Sequence, residues 1–169
     1  MKKKWLAVMT LALALALAAC SNSDQKADDK ESKDSAASTE EKANPKKALV
    51  QFYNNLVSEI NAQDAGLGAY MGAEKPTAEE KTAAAESASN VAKAVSGLEI
   101  PEELKDQKAD LEAALKDFSS SYEQKAEELK KPAPAFEASD ATFAAGQEKL
   151  GKVFEAVGLR QPDLSKEVN

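Results

Sequence analysis

Groups able to do covalent chemistry are scarce in this sequence of 169 residues: Cys20 is its single thiol and histidine is absent. Without histidine, Ser-His-Asp and Cys-His nucleophilic sites, His-built zinc sites and the Glu-x-x-His di-iron bundle all fall away. Carboxylates remain, with 29 Asp and Glu against 22 Lys and Arg. The adjacent pairs Glu79/Glu80, Glu102/Glu103 and Glu127/Glu128 are the acid–base candidates. Each falls at or near a helix end or on an exposed helix face, where capping or solvated charge accounts for it. Asn61-Ala62-Gln63-Asp64-Ala65-Gly66 begins like an EF-hand loop but fails at position five, Ala65, and at position twelve, Gly72. Gly66-Leu67-Gly68 opens like a dinucleotide loop, yet Met71 stands at the third glycine position and no strand precedes it. An all-carboxylate calcium or magnesium site stays open in principle. No motif implies a cofactor or a bound metal.

Cys20 differs from these because of what precedes it. Lys2, Lys3 and Lys4 form a basic start, and Trp5 to Ala19 is an apolar run of 15 residues interrupted only by Thr10. A bilayer span needs about 20 residues. The run instead fits a secretory h-region closed by small residues. Leu17-Ala18-Ala19-Cys20, at its end, resembles the lipobox of bacterial lipoproteins. The resemblance covers residues 1–20 and concerns processing alone. It implies a signal peptide over 1–19, diacylglycerol on the Cys20 thiol and cleavage just before Cys20. The expected location is the extracytoplasmic face of the cell membrane. Ser21 would fit outer-membrane sorting in a Gram-negative host. A single myristoyl chain anchors only marginally, whereas diacylglycerol brings two chains. Lipidated, Cys20 is no longer available as disulfide partner, nucleophile or metal ligand.

The charge divides along the chain. Residues 1–19 carry three Lys, residues 20–44 four Lys against seven acidic residues, and residues 45–169 carry 15 basic against 22 acidic residues. The acidic balance beyond the leader argues against nucleic acid as a partner and against electrostatic binding to anionic lipid. Between Ser21 and Asn44 there is no Leu, Ile, Val or aromatic residue. Such a segment has nothing to bury and is expected to be a disordered tether. As a flexible coil it would reach about 25–30 Å.

Residues 45–169 are long enough for one domain with its own core. The fold class expected is all-α, an antiparallel helical bundle of four helices running up-down-up-down, with a three-helix bundle plus a loose fourth segment as the alternative. Asn44-Pro45 supplies a cap and a first helical residue. Leu49, Phe52, Tyr53, Leu56 and Ile60 then recur at helical spacing, which predicts a helix over 45–64. Thr77 to Glu80 matches a capping box and opens a second over 77–97, with Ala84, Ala88, Val91, Ala92 and Val95 inward. A third starts at Pro101. Its seven-residue series, Leu104, Leu111 and Phe118 with Leu115, Tyr122 and Leu129, predict one seam about 45 Å long. Pro132 and Pro134 stop it. A fourth over 139–157 turns Phe143, Leu150, Val153, Phe154 and Val157 inward, with Phe136 stapling its start. Short links make neighbouring helices antiparallel.

Leu67, Tyr70 and Met71 fall in what reads as a glycine-flanked loop, with Gly66, Gly68 and Gly72 around them. Loops on rigid scaffolds often carry binding residues. The three either fold back to plug one end of the bundle or contact a partner. The function expected is a membrane-anchored, non-enzymatic interaction or structural module with a protein partner in the cell envelope. A lipoprotein binding a small ligand or peptide between its helices is the alternative, and a His-free enzyme is a third class. A buried carboxylate pair would favour the enzyme, a lined interior cavity the ligand binder, and a packed core with an exposed apolar patch the interaction module.

Overall fold

Asn44 opens the first helix in the computed structural model, which describes residues 44–168. The expected signal peptide, Cys20 and the tether up to Ala43 lie outside the described residues. The Asn44 side chain accepts from the Lys47 N–H, and Pro45 begins α1, Pro45–Gln63. Five α-helices and no strand occur among the described residues: α1, α2 (Ala65–Gly72), α3 (Ala78–Ser96), α4 (Lys108–Glu128) and α5 (Glu137–Ala156). Two short 3-10 turns, Glu102–Leu104 and Leu164–Lys166, complete the order.

The apolar spacing sets which faces are buried. Leu49, Phe52, Leu56 and Ile60 of α1 are buried, and α1 packs against α3, where Ala84, Ala88, Val91, Ala92 and Val95 are buried. Thr77 and Glu80 form the expected reciprocal cap at the start of α3. That cap holds the Glu80 carboxyl below its ordinary pKa, because the carboxylate accepts the Thr77 backbone N–H. Ser119 Oγ on α4 donates to the Ala92 carbonyl at 3.0 Å, while Lys81 reaches the Lys131 carbonyl, so residue numbers rise on one helix as they fall on the other. The same holds for α4 and α5, where Ser121 Oγ donates to the Ser139 carbonyl at 2.7 Å and Lys149 pairs with Asp117 at 2.5 Å. Gly146 brings α5 close, since a Cβ there would stand 2.9 Å from the Phe118 ring. Phe143 is half-buried and completes this interface against Phe118 and Tyr122, at ring-centroid distances of 5.0 and 6.2 Å.

Two expectations are corrected. The helix expected to start at Pro101 starts at Lys108 instead. Residues 102–104 form a 3-10 turn that places the fully buried Leu104 against α1, so Leu104 packs off the α4 axis despite its seven-residue spacing to Leu111. Leu129 is the C-cap of α4, which leaves a helix about 32 Å long rather than 45. The stretch expected to be a loop from Ala65 is a helix up to Gly72. Three glycines in eight residues argue for a loop by intrinsic propensity, but packing against α3 outweighs that preference.

The C-terminal segment is ordered against the helices. Gly158 takes a left-handed conformation (φ +71°), with Leu159 N–H donating to the Phe154 carbonyl at 2.9 Å and Gly158 N–H to Glu155 at 2.8 Å. This Schellman-type ending turns the chain back along α5. Leu164 is fully buried, and Asn61 Nδ2 on α1 donates to the Glu167 carbonyl at 2.9 Å.

Candidate functional site

The corner between α1 and α2 brings the expected Leu67, Tyr70 and Met71 to one short helix. A single residue, Asp64, separates the two helices, and its backbone serves both: its N–H donates to Ile60 at 3.0 Å and its carbonyl accepts from Gly68 at 2.9 Å. Ser87 on α3 holds the corner from below. Its hydroxyl donates to the Gln63 carbonyl at 2.5 Å and accepts the Leu67 N–H at 3.2 Å. Gly66 allows α2 to approach, because a Cβ there would lie 2.9 Å from the Ala83 carbonyl oxygen.

The three residues then part company. Leu67 is buried in the core, Tyr70 is half-buried and packs against it, and Met71 is 53% exposed. Ala65, Ala69 and Gly72 are exposed beside Met71, so the outward side of α2 is small and uncharged. Beneath the corner Asp64 is fully buried. Burial first, and the Asp64 charge second, push the Tyr122 phenol well above its ordinary pKa.

The acid pairs are distributed as separate surface charges. Glu79, Glu80, Glu102, Glu103 and Glu127 are exposed, and Glu128 is half-buried. Glu127 pairs with Lys130 at 2.5 Å and Glu128 with Lys131. The hydrogen bond from Lys131 first, then the Ala135 N–H at 3.2 Å, lowers the Glu128 pKa and ties the α4–α5 turn together. Among the described residues no three Asp, Glu, His or Cys side chains gather as a metal-ligating group. Two grooves of about 730 and 740 Å³ lie on the surface, one beside Leu98, Ile100 and Leu115, the other along α3 beside Ala85, Lys93 and Leu129. Both are lined by a mixture of apolar and charged groups.

Sequence reasoning missed Ser87, Gln147 and Leu164, and it named Gly66 only as a loop glycine. Ser87 carried a weak signal, because it falls on the inward stripe of Ala84, Ala88 and Val91, where a polar residue needs an internal partner. Gln147 carried none, since its role is to hydrogen-bond backbone 15 and 17 residues further on. No protein-family model matches the chain, and neither a curated protein nor a solved structure matches it.

Proposed function

We propose that this chain is a bacterial lipoprotein whose helical domain acts as a non-enzymatic interaction or structural module in the cell envelope. The observation that carries the reading is Leu17-Ala18-Ala19-Cys20 at the end of a basic and then apolar leader. The membrane partner is lipid attached through diacylglycerol on Cys20, and the face is extracytoplasmic. Among the described residues no helix is long and apolar enough to cross a membrane. The 24 residues from Ser21 to Asn44 would let the domain stand off the surface to meet a protein partner.

The domain itself we read as an up-down-up-down bundle of α1, α3, α4 and α5, with α2 as a corner piece. The opposed residue numbering of the α3–α4 and α4–α5 contacts supports this. So does the α1–α5 seam, where Lys46 Nζ donates to the Gly158 carbonyl at 3.4 Å and Tyr53 meets Phe154 at 5.6 Å.

Cys20→Ala tests the anchoring. In a bacterial host the wild-type chain should take up labelled fatty acid and partition with membranes, and the variant should do neither. Fatty acid on the Cys20→Ala protein would refute the reading.

A further inference from the structure

Gln147 on α5 recognises backbone rather than side chains. Its Nε2 donates to the Pro162 carbonyl at 2.5 Å, and its Oε1 accepts the Leu164 N–H at 2.9 Å. A side-chain amide used this way mimics the facing residue of a β-strand, and it holds a segment whatever its side chains are. Across the seam, Asn61 on α1 makes a third bond of the same kind, to the Glu167 carbonyl at 2.9 Å. Leu164 is the one fully buried side chain of the segment, and Leu159 and Val168 at its two ends are half-buried against the core. Arg160, Gln161, Asp163, Ser165, Lys166 and Glu167 are exposed. Gly151 lies beneath the segment, with the end of the exposed Gln161 side chain over it. Residues 159–168 thus lie on the seam as a bound peptide would, through bonds to their backbone, one buried leucine and two half-buried apolar ends.

The fit beneath the segment is incomplete. The Tyr53 hydroxyl is buried with no hydrogen-bond partner among the protein atoms. Asp163 and Glu167 lie near enough for their charges to act on it, yet neither accepts from it. A buried hydroxyl left unsatisfied raises the free energy of the strapped state. A segment with an acceptor over Tyr53 would fit better than the chain's own. Gly158, in its left-handed conformation, marks where the segment would swing away.

We propose that Leu159–Val168 is a releasable strap, and that the α1–α5 seam beneath it is a docking groove for a peptide that runs extended up to one fully buried apolar anchor and then turns, as Leu164–Lys166 does. The incoming segment would offer Gln147 a carbonyl and an N–H two residues apart, place a Leu-sized side chain where Leu164 sits, and supply an acceptor to Tyr53. This deepens the interaction-module reading by naming its surface, and it holds whether or not Cys20 is lipidated.

Hydrogen exchange of the purified full chain tests release directly. Amides of 159–168 should exchange at least about 100-fold faster than those of 111–122, because the strap opens without global unfolding. Equal protection would overturn the proposal. Docking is tested with a labelled peptide of sequence 159–168, read by fluorescence anisotropy. It should bind full chain carrying Leu164→Ser at least about tenfold more tightly than wild type. The same peptide with Ser in place of Leu should bind neither. Failure of the Leu peptide to bind, or loss of the helical circular-dichroism spectrum in the Leu164→Ser chain, would show that the strap is a fixed part of the core and would overturn the proposal.

Discussion

The two sides of α5 are held by different means. Toward α4 the contact is side chain against side chain: Phe118, Phe143 and Tyr122 interlock, Gly146 lets the backbones approach, and Ser121 satisfies the Ser139 carbonyl. Toward α1 the contact runs through the half-buried Tyr53 against Phe154, and the strap covers the rest with backbone hydrogen bonds from Gln147 and Asn61. Close packing of aromatic groups is costly to open because many contacts break together. The strap is held by three hydrogen bonds to its backbone, the buried Leu164 and the half-buried Leu159 and Val168, and its opening would break fewer contacts. If the strap releases as proposed, stability in this domain is uneven, and the side that yields is the one where the Tyr53 hydroxyl has no partner among the protein atoms.

The largest effect that can break or sharpen this contrast should come from Phe118. It is fully buried between α4 and α5, and Phe118→Ala should destabilise the domain by about 3–5 kcal/mol. Trp5 is the sole tryptophan and precedes the expected cleavage site, so unfolding is best followed in denaturant by far-UV circular dichroism. Leu164→Ala should cost less, about 2 kcal/mol, at the low end for a buried leucine, because the exposed flanks of the strap can settle into the space left behind. A larger loss at Leu164 than at Phe118 would reverse the comparison and make the strap side the stronger. The smallest effect belongs to the α2 corner. Met71→Ser should change stability by less than about 0.5 kcal/mol, as expected for an exposed position. Tyr70→Ser should cost more, since Tyr70 packs against the core. A substantial loss at Met71 would mean that the outward side of α2 is covered in solution.

The same contrast governs what the sequence could reveal. Side-chain packing leaves a period in the sequence, so the inward residues of α1, α3, α4 and α5 were legible from helical spacing, and Thr77 and Asn44 announced their caps. Leu104 shows where that logic misleads: spacing alone extended a seam through a turn, because a leucine on a 3-10 turn packed against α1 has the same sequence separation as one on the next heptad. The α2 helix was hidden by Gly66, Gly68 and Gly72, whose low helix propensity is overridden by the close approach that Gly66 permits. The strap was illegible for a deeper reason. Its bonds to Gln147 and Asn61 use backbone groups that nearly every residue carries, so composition and period leave no trace of them. Leu67, Tyr70 and Met71 were read as residues of one loop, and their division into buried, half-buried and exposed followed only from α2 being helical.

The reading of the chain as an anchored module rests on four residues, Leu17 to Cys20. The mass of the intact mature protein, isolated from bacterial membranes and fragmented from its N-terminus, tests that claim most directly. The account predicts a chain that begins at Cys20 and carries diacylglycerol on its sulfur. A chain that retains residues 1–19, or one whose Cys20 is a free thiol, would contradict it.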